Sequence, residues 1–538
     1  MRRMQAGALA VIAAALTLSA GTAVADPATD SAADELALEP SLDSASGLRA
    51  SGSNGVLGGP FSAPRLPRRF ALSGLDAYIP TERRVPYSDT RLAQFQIPQA
   101  GSREGVGPSR QAARDIQKEL SFNYAFGTDS EFTYSRNADL DSRNRDNLIF
   151  AAPTAFLLTT VRPTASIDLN FEFTFEQQIR IHEEQVTLLP NGDVLPADKR
   201  KASLLIDQAN IVLKNFPEPF VVTLGRRNYE DPRLFLYDSA MDGIHVGFKV
   251  GDIDTEMSYS RENRWDGDLF RQTVKTSVTN HILYTEYRGI EDHKLAAYAI
   301  ARSDSDVNSP SWEGRPRFFG LRAYGIPSDQ FNYWSELSIL RGSDEQRDIN
   351  HGKAWDFGGT YRFPKAPFAP CLTFGMAFGS GDENENDTIN KKHRQTNLQS
   401  NETRFCGVTQ FKRYGEFADV ELNNVRILTA GFGFRAAPGI FVDLVAHRYR
   451  TNYPASDFRS SGITAEMNQP NGVNSKRVGH ELDVILGFRN LFGTRLGFEA
   501  RAGVFFPGAA YNRNEGTNAR PRLARADKGI SVLAVIIY

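Results

Sequence analysis

Cysteine is almost missing from this chain: Cys371 and Cys406 are the only two in 538 residues. So few exclude a disulfide-dense secreted scaffold, while one bridge is permissible in an oxidising compartment. The two fall on the arms of one expected hairpin, where a structural role outweighs chemistry, and whether they face each other stays open. Long apolar runs are also missing. Beyond Ala8 to Leu18 no stretch approaches the roughly 20 apolar residues that a membrane helix requires, which excludes a helical membrane protein. Charge of one sign is not in excess either. A formal net charge of -2 names no partner by itself, and nothing points to nucleic acid. Enzyme signatures are absent as well: there is no P-loop, no HExxH and no CxxC pair. His281 and His293 lie in separate expected strands without ligand-like spacing, and Gly375 to Gly381 leads into an acidic loop rather than a helix. A Ser-His-acid set would have to be assembled from distant strands. The expectation is a protein that is not an enzyme, with no cofactor and no metal.

What is present begins at the two ends. Met1-Arg2-Arg3 is a short basic region, Ala8 to Leu18 an apolar one, and Ala23-Val24-Ala25 a small-residue cleavage pattern. Together they predict a secretory signal over residues 1–25. Residues 26–110 are rich in Ala, Ser, Gly, Pro and Asp with little periodicity, which predicts a disordered or loosely held extension. For the stretch from Phe70 to Arg114 an inward-folded plug is the functional alternative. At the other end, Ile530-Ser531-Val532-Leu533-Ala534-Val535-Ile536-Ile537-Tyr538 is a strand closing on an aromatic residue. A lipid-embedded barrel has reason to end this way, because its last strand must pair with the first to remove the sheet edge.

Between them, over residues 111–538, a period of two dominates. In Leu169 to His182 one face carries Leu169, Phe171, Phe173, Phe175, Ile179 and Ile181, and the other carries Asn170, Glu172, Thr174, Glu176, Gln178, Arg180 and His182. Alternation of this length, aromatic against charged, suits lipid outside and water inside. It recurs in Ala354 to Phe363, with Asp356, Thr360 and Arg362 on the polar side. His480 to Arg489 places Glu481, Asp483, Gly487 and Arg489 there, with Ile485 as an exception, and Arg495 to Phe506 places Glu499 and Arg501 there. The runs number about 19, and a bacterial single-chain barrel needs an even count, so the fold class is an all-β, closed, transmembrane antiparallel barrel of about 18 strands. Short connectors such as Pro364 to Pro370 and Ala436 to Gly439 fit periplasmic turns. Long polar ones near Gly381 to Ser400 and Thr451 to Arg477 fit external loops.

One segment has a more particular pattern. Val222-Thr223-Leu224-Gly225-Arg226-Arg227-Asn228-Tyr229-Glu230-Asp231-Pro232-Arg233, followed by Asp242-Gly243, resembles the signature of the alginate export family of outer-membrane porins: a strand ending in Leu-Gly-Arg-Gln, a charged loop, then Asp-Gly opening the next strand. Phe319 to Gly325, Arg404 to Glu416, Gly487 to Gly493 and Asp527 to Leu533 look similar too, so the resemblance spans most of the chain after about Gln111. It implies an 18-stranded barrel in the Gram-negative outer membrane, with a narrowed, arginine-lined lumen through which an anionic uronate polysaccharide leaves the cell passively. Arg227 stands where the family usually has Gln, which adds a positive charge.

Parity selects the lumen candidates. Arg180, Arg362, Arg489 and Arg501 lie on polar faces, and Arg322 is opposite Phe319, Leu321 and Ala323. Simple alternation places Arg227 inside and Arg226 outside, unless a bulge at Gly225 resets the register, so both are kept. Glu172, Glu176, Asp356, Glu481, Asp483 and Glu499 are the acids expected to balance these arginines. The plain alternative for each arginine is a solvated charge paired with such an acid. Guanidinium forks match carboxylates and never deprotonate, so the set suggests anion selectivity. The expected partners are the anionic polysaccharide, outer-membrane lipid and lipopolysaccharide, and barrel-assembly machinery at the C-terminal strand, with periplasmic export proteins a further candidate. A porin for small anionic or neutral solutes and an outer-membrane hydrolase are the competing readings.

Overall fold

The structure is a computed structural model that describes residues 121–143, 147–183, 200–262, 264–265, 267–270, 278–305, 314–344, 349–384, 386–456, 458–460, 462–468, 474–494, 496–514, 523–524 and 526–537. The expected signal segment 1–25, the extension 26–110 and Tyr538 lie outside the described residues.

A single antiparallel sheet closes on itself through 18 spanning strands. The first two are each interrupted once. Strand β1 comprises Ser121–Gly127 and Asp129–Arg136, and β2 comprises Leu148–Ala152 and Thr154–Thr164. Next come β3 (Ile167–Glu183), β4 (Arg200–Lys214), β5 (Phe220–Glu230), β6 (Asp238–Val250), β7 (Ile253–Arg261) and β8 (Val278–Ile290). They are followed by β9 (His293–Asp304), β10 (Arg315–Ser328), β11 (Phe331–Ser343), β12 (Lys353–Arg362) and β13 (Cys371–Gly379). The last five are β14 (Val425–Ala437), β15 (Ile440–Thr451), β16 (Arg477–Phe488), β17 (Gly497–Pro507) and β18 (Gly529–Ile537). Each strand pairs with its sequence neighbours, and β18 closes the ring by pairing with both β17 and β1, Ile537 lying opposite Gly497 and Asp129. This pairing covers the edge of β1 along Asp129–Arg136, which would otherwise face lipid. No helix among the described residues is long and apolar enough to cross a membrane.

The alternation sorts the side chains as the pleat requires. Phe171, Phe175, Leu224, Phe432 and Leu482 are exposed on the outside, whereas Glu172, Thr174, Glu176, Glu481 and Asp483 are buried inside. Connectors are short at one rim (residues 165–166, 251–252, 291–292, 329–330 and 438–439) and long at the other, which orients the short rim to the periplasm.

The long connectors correct the sequence expectation. The segment after β13 runs from 380 to 424, and it does not stay outside. Leu398, Phe405, Phe411, Phe417, Val420 and Leu422 within it are fully or almost fully buried, and it descends through the lumen as a plug. Side chains of the 231–237 loop (Phe235, Leu236) and of the 452–476 connector (Ile463, Met467) join Leu398, Phe417, Val420 and Leu422 in one buried cluster. Burying such a side chain contributes roughly 1.5–3 kcal/mol, so the plug is packed like a core rather than draped like a surface loop.

The wall makes room for it. On β13 every inward position is small: Cys371, Thr373, Gly375, Ala377 and Gly379. Gly433 on β14 sits opposite Cys371, and a Cβ there would lie 2.6 Å from the Cβ of Cys406. A Cβ on Gly503 of β17 would lie 2.7 Å from the backbone nitrogen of Phe417. Glycine is required at these sites by the close approach of the plug.

Candidate functional site

The centre of the lumen is a cluster of three arginines and three acids drawn from wall and loops. Arg322 of β10 bonds Asp231 of the 231–237 loop at 2.6 Å and Glu336 of β11 at 2.6 Å. Arg233 of the same loop bonds Glu336 at 3.1 Å and Asp356 of β12 at 2.6 Å. Arg413 of the plug stands 3.9 Å from Asp356 and donates to the carbonyls of Arg233 (2.6 Å) and Glu402 (3.1 Å). Trp334 donates its indole N–H to Asp356 at 3.0 Å. Arg322 lies over the rings of Tyr284 and Tyr298, and its side chain is 0% exposed.

Asp231 organises the loop as well as pairing with Arg322, because it accepts the backbone amides of Arg233 (3.1 Å), Leu236 (2.7 Å) and Tyr237 (3.1 Å). Burial alone would raise its pKa, but Arg322 and the amides of Leu236 and Tyr237 outweigh that and hold it below the usual carboxylate value. Burial, reinforced by the neighbouring Arg233, lowers the guanidinium of Arg413 to about 10. The arginines and acids at this level pair with one another.

A second cluster joins the plug to β15, β16 and β17. Arg501 stands 3.6 Å from both Glu402 of the plug and Glu499, and Arg489 pairs with Glu499 as well. Glu481 accepts the amides of Phe417 (2.6 Å) and Ala418 (3.1 Å) and the hydroxyl of Tyr449 (3.2 Å). His447 approaches Asp483 at 3.3 Å.

The tip of the plug reaches the short-turn rim. Glu402–Thr403 pairs antiparallel with Phe411–Lys412, and the residues between them meet the last or first residues of wall strands. Arg362, which ends β12, donates to the Phe405 carbonyl at 3.1 Å. Arg489, just past β16, donates to the Val408 carbonyl at 3.2 Å. Asp443 near the start of β15 accepts the Gly407 amide at 2.9 Å. The Phe405 ring stacks on Trp334, with centroids 5.8 Å apart. Cys371 and Cys406 form a disulfide, with Cα atoms 6.2 Å apart. Cys406 is thus on the plug, not on a barrel strand as expected. Asp443 brings a carboxylate oxygen within 4.8 Å of both sulfurs, but each sulfur is committed to the other.

Higher in the plug, His393 is buried against Phe318 and hydrogen-bonded through Nδ1 to the Leu422 carbonyl at 2.9 Å. Burial lowers its pKa from 6.5 to about 4. The released plug therefore takes up a proton between those values and the seated one does not, so the stability of the seated state is intact above pH 6.5 and is lost as pH falls toward 4. Protease susceptibility of the plug should rise over that window in the native protein and rise less in His393→Gln. An identical rise in the two would show that His393 does not carry the effect.

The signature segment resolves into a wall seam. Gly225 pairs with Asn210 and Gly243 without a register shift, so no bulge resets β5. Arg227 and Tyr229 share one side, with the Arg227 guanidinium 5.1 Å from the Tyr229 ring, and Arg226 takes the lipid-side parity of exposed Leu224. Yet Arg226 is only 7% exposed. It lies 3.6 Å from Asp242, its register partner on β6, and beneath Gly267, where a Cβ would be 2.8 Å from its Cζ. Strand β4 pairs with β5 only from Ala209 to Lys214. Above that, Ile206 donates to the Gly267 carbonyl at 2.7 Å and Leu269 to the Leu204 carbonyl at 2.8 Å. The segment around Gly267 thus straps the gap between the two strands, with the Arg226–Asp242 pair sealed underneath.

The structure therefore gathers Arg322, Asp356, Arg362, Arg489, Arg501, Glu481, Asp483 and Glu499 around the plug. Arg227 is inward but higher, and Arg226 faces the seam instead of the lumen. Glu172 is held by Gln208 and Glu176 by Gln178, on a different part of the wall. Arg180 lies opposite Phe150, and its side chain is outside the described residues. Parity alone could not find Arg233, Arg413 or Asp231, which sit in loops without alternation, although Asp231-Pro232-Arg233 lies inside the quoted signature. Glu336 and Trp334 share the inward side of β11, and alternation was their available signal.

Comparison with known proteins places this geometry. The alginate export family matches residues 113–525. The chain belongs to that family. The alginate production protein AlgE of Pseudomonas aeruginosa is 28% identical over 204 residues, covering 33% of this chain and 38% of that protein. AlgE of Azotobacter vinelandii is 26% identical over 153 residues, covering 26% and 32%. The alignments thus span about a third of the length of these relatives. Among solved structures, OccAB2 of Acinetobacter baumannii aligns with a TM-score of 0.48 at 12% identity, over 77% of this chain and 98% of that one. This member of the alginate export family is a β-barrel of the Gram-negative outer membrane.

Proposed function

We propose that the barrel exports an anionic uronate polysaccharide, alginate or a close relative, by passive conduction along lumen arginines. The observation that carries the reading is the pairing of inward guanidiniums with protein carboxylates: Arg322, Arg233 and Arg413 with Asp231, Glu336 and Asp356 at mid-lumen, and Arg489 and Arg501 with Glu402 and Glu499 nearer the short-turn rim. A polyuronate presents one carboxylate per sugar. When the plug shifts aside it draws Glu402 away from Arg501, and a polymer carboxylate can take that place on the guanidinium fork, so the arginine changes partner without being left bare. The exchange lowers the barrier to entry and keeps each site weak, and a string of weak sites is what conduction requires. Membrane lipid on the outer face, barrel-assembly machinery at β18 and periplasmic export proteins at the short-turn rim complete the set of partners.

Planar-bilayer recording tests this. Oligouronates added on the short-turn side should block an anion-selective current, and neutral oligosaccharides of the same length should not. A current indifferent to uronates that lets small neutral sugars pass would overturn the proposal in favour of a general porin.

A further inference from the structure

The plug has one covalent link to the wall, and its position decides how the plug can move. Cys406 lies in the tip between Glu402–Thr403 and Phe411–Lys412, while Cys371 is the first residue of β13, directly after the 363–370 turn. The bond therefore ties the tip at the end of the barrel opposite to the rim from which the plug descends. The other holds on the tip include hydrogen bonds from Arg362, Arg489, Gly407 and Thr409, the stack of Phe405 on Trp334, and the apolar group Phe405, Phe411, Val445 and Ile485. All of these can break and re-form thermally, and the disulfide cannot.

We propose that the Cys371–Cys406 disulfide makes the plug a captive one. With the bond intact the two arms, residues 381–400 and 411–424, can shift within the lumen but the tip stays at the short-turn rim, so whatever passes must pass beside it. With the bond reduced, the whole segment can leave through the long-loop rim and the full bore opens. A dithiol reductant carries out the reduction: its thiolate attacks Sγ of Cys406, which is half-buried, rather than that of Cys371, which is buried. The resulting mixed disulfide is resolved by the second reductant thiol. The reductant closes to its own disulfide, and Cys371 and Cys406 each gain one electron and one proton.

The surrounding residues fit a site built for this bond. Gly433 lies opposite Cys371 and leaves the space that Cys406 occupies, and Gly407, next to the cysteine, packs against Asp443. The device goes beyond the choice of cargo, and its test uses potassium chloride alone, so it stands or falls separately from polyuronate export.

Single-channel conductance of the full-length protein would be recorded before and after adding dithiothreitol, with mass spectrometry confirming reduction. The Cys371→Ser/Cys406→Ser variant would be recorded beside it. The expected result is a several-fold rise in conductance on reduction of the native protein. The double variant should show the raised level from the start and no response to reductant. Heat-modifiable migration on a detergent gel would confirm that the variant is a folded barrel. Unchanged conductance in verified reduced protein, or a reductant response that persists in the double variant, would overturn the proposal.

Discussion

A barrel in which residues 381–423 are replaced by a short Gly-Ser turn, with Cys371 changed to Ser, is expected to conduct continuously as a wide pore. The physical reason is that barrels of 16–18 strands enclose an aqueous channel once nothing fills them, and here the filling comes mainly from this one segment. Phe405, Phe411, Phe417, Leu398 and Leu422 supply much of the buried interior, and Phe405, Phe417 and Leu422 come against Gly431, Gly503 and Gly379 of the wall, positions kept small to receive them. The wall should survive the deletion because its pairing runs directly from β13 to β14. Cells carrying the shortened protein should become sensitive to bulky antibiotics that the outer membrane normally excludes, and purified protein should show long, large openings. Native-like closure in the deletion variant would mean that the 231–237 and 452–476 segments suffice to block the lumen.

The second large effect concerns Arg322. Its side chain is fully enclosed between Asp231 and Glu336, each at 2.6 Å. Arg322→Ala would leave two buried carboxylates facing each other without their shared cation, and removing one partner of such a pair costs roughly 3–5 kcal/mol. Asp231 would also lose the charge that holds its pKa down, and with it the grip on the amides of Arg233, Leu236 and Tyr237. The expected outcome is a lowered thermal midpoint of the detergent-solubilised protein and early proteolysis in the 231–237 loop. The triple variant Arg322→Met/Asp231→Asn/Glu336→Gln, which removes all three charges together, should recover much of the loss. A single variant as stable as the native protein, or a triple variant no better than the single, would show that the cluster is not held by charge pairing.

Strand texture was legible in the sequence because a barrel strand meets two solvents at once. Leu169 to His182 sorts into faces without help from any other residue. The exception at Ile485 was legible as an exception and unexplained; its cause is the plug, since Ile485 packs with Phe405, Phe411 and Val445. The inward course of residues 380–424 was not legible, because nothing local separates a polar loop in water from one folded against a polar wall. A trace of it existed on the wall. A strand whose inward positions read Cys371, Thr373, Gly375, Ala377 and Gly379 leaves a groove, and a groove in a packed interior has an occupant. The lumen acids and arginines were placed by parity, yet their pairing was decided by loops that carry no parity. Arg226 shows the limit from the other side: alternation placed it outward correctly, and the cost of an arginine on that side argued for a bulge that is not there. The segment around Gly267 removes the cost instead.

That strap changes what the Leu-Gly-Arg and Asp-Gly motifs record. Arg226, Asp242 and Gly267 come from three places in the chain and close one weak point in the wall. In evolutionary terms they are expected to vary as a single unit. A side chain at residue 267 would run into the Arg226 guanidinium, so a lineage that widens residue 267 is expected to shorten residue 226. Coordinated change at these three positions would separate selection on the wall from selection on the cargo.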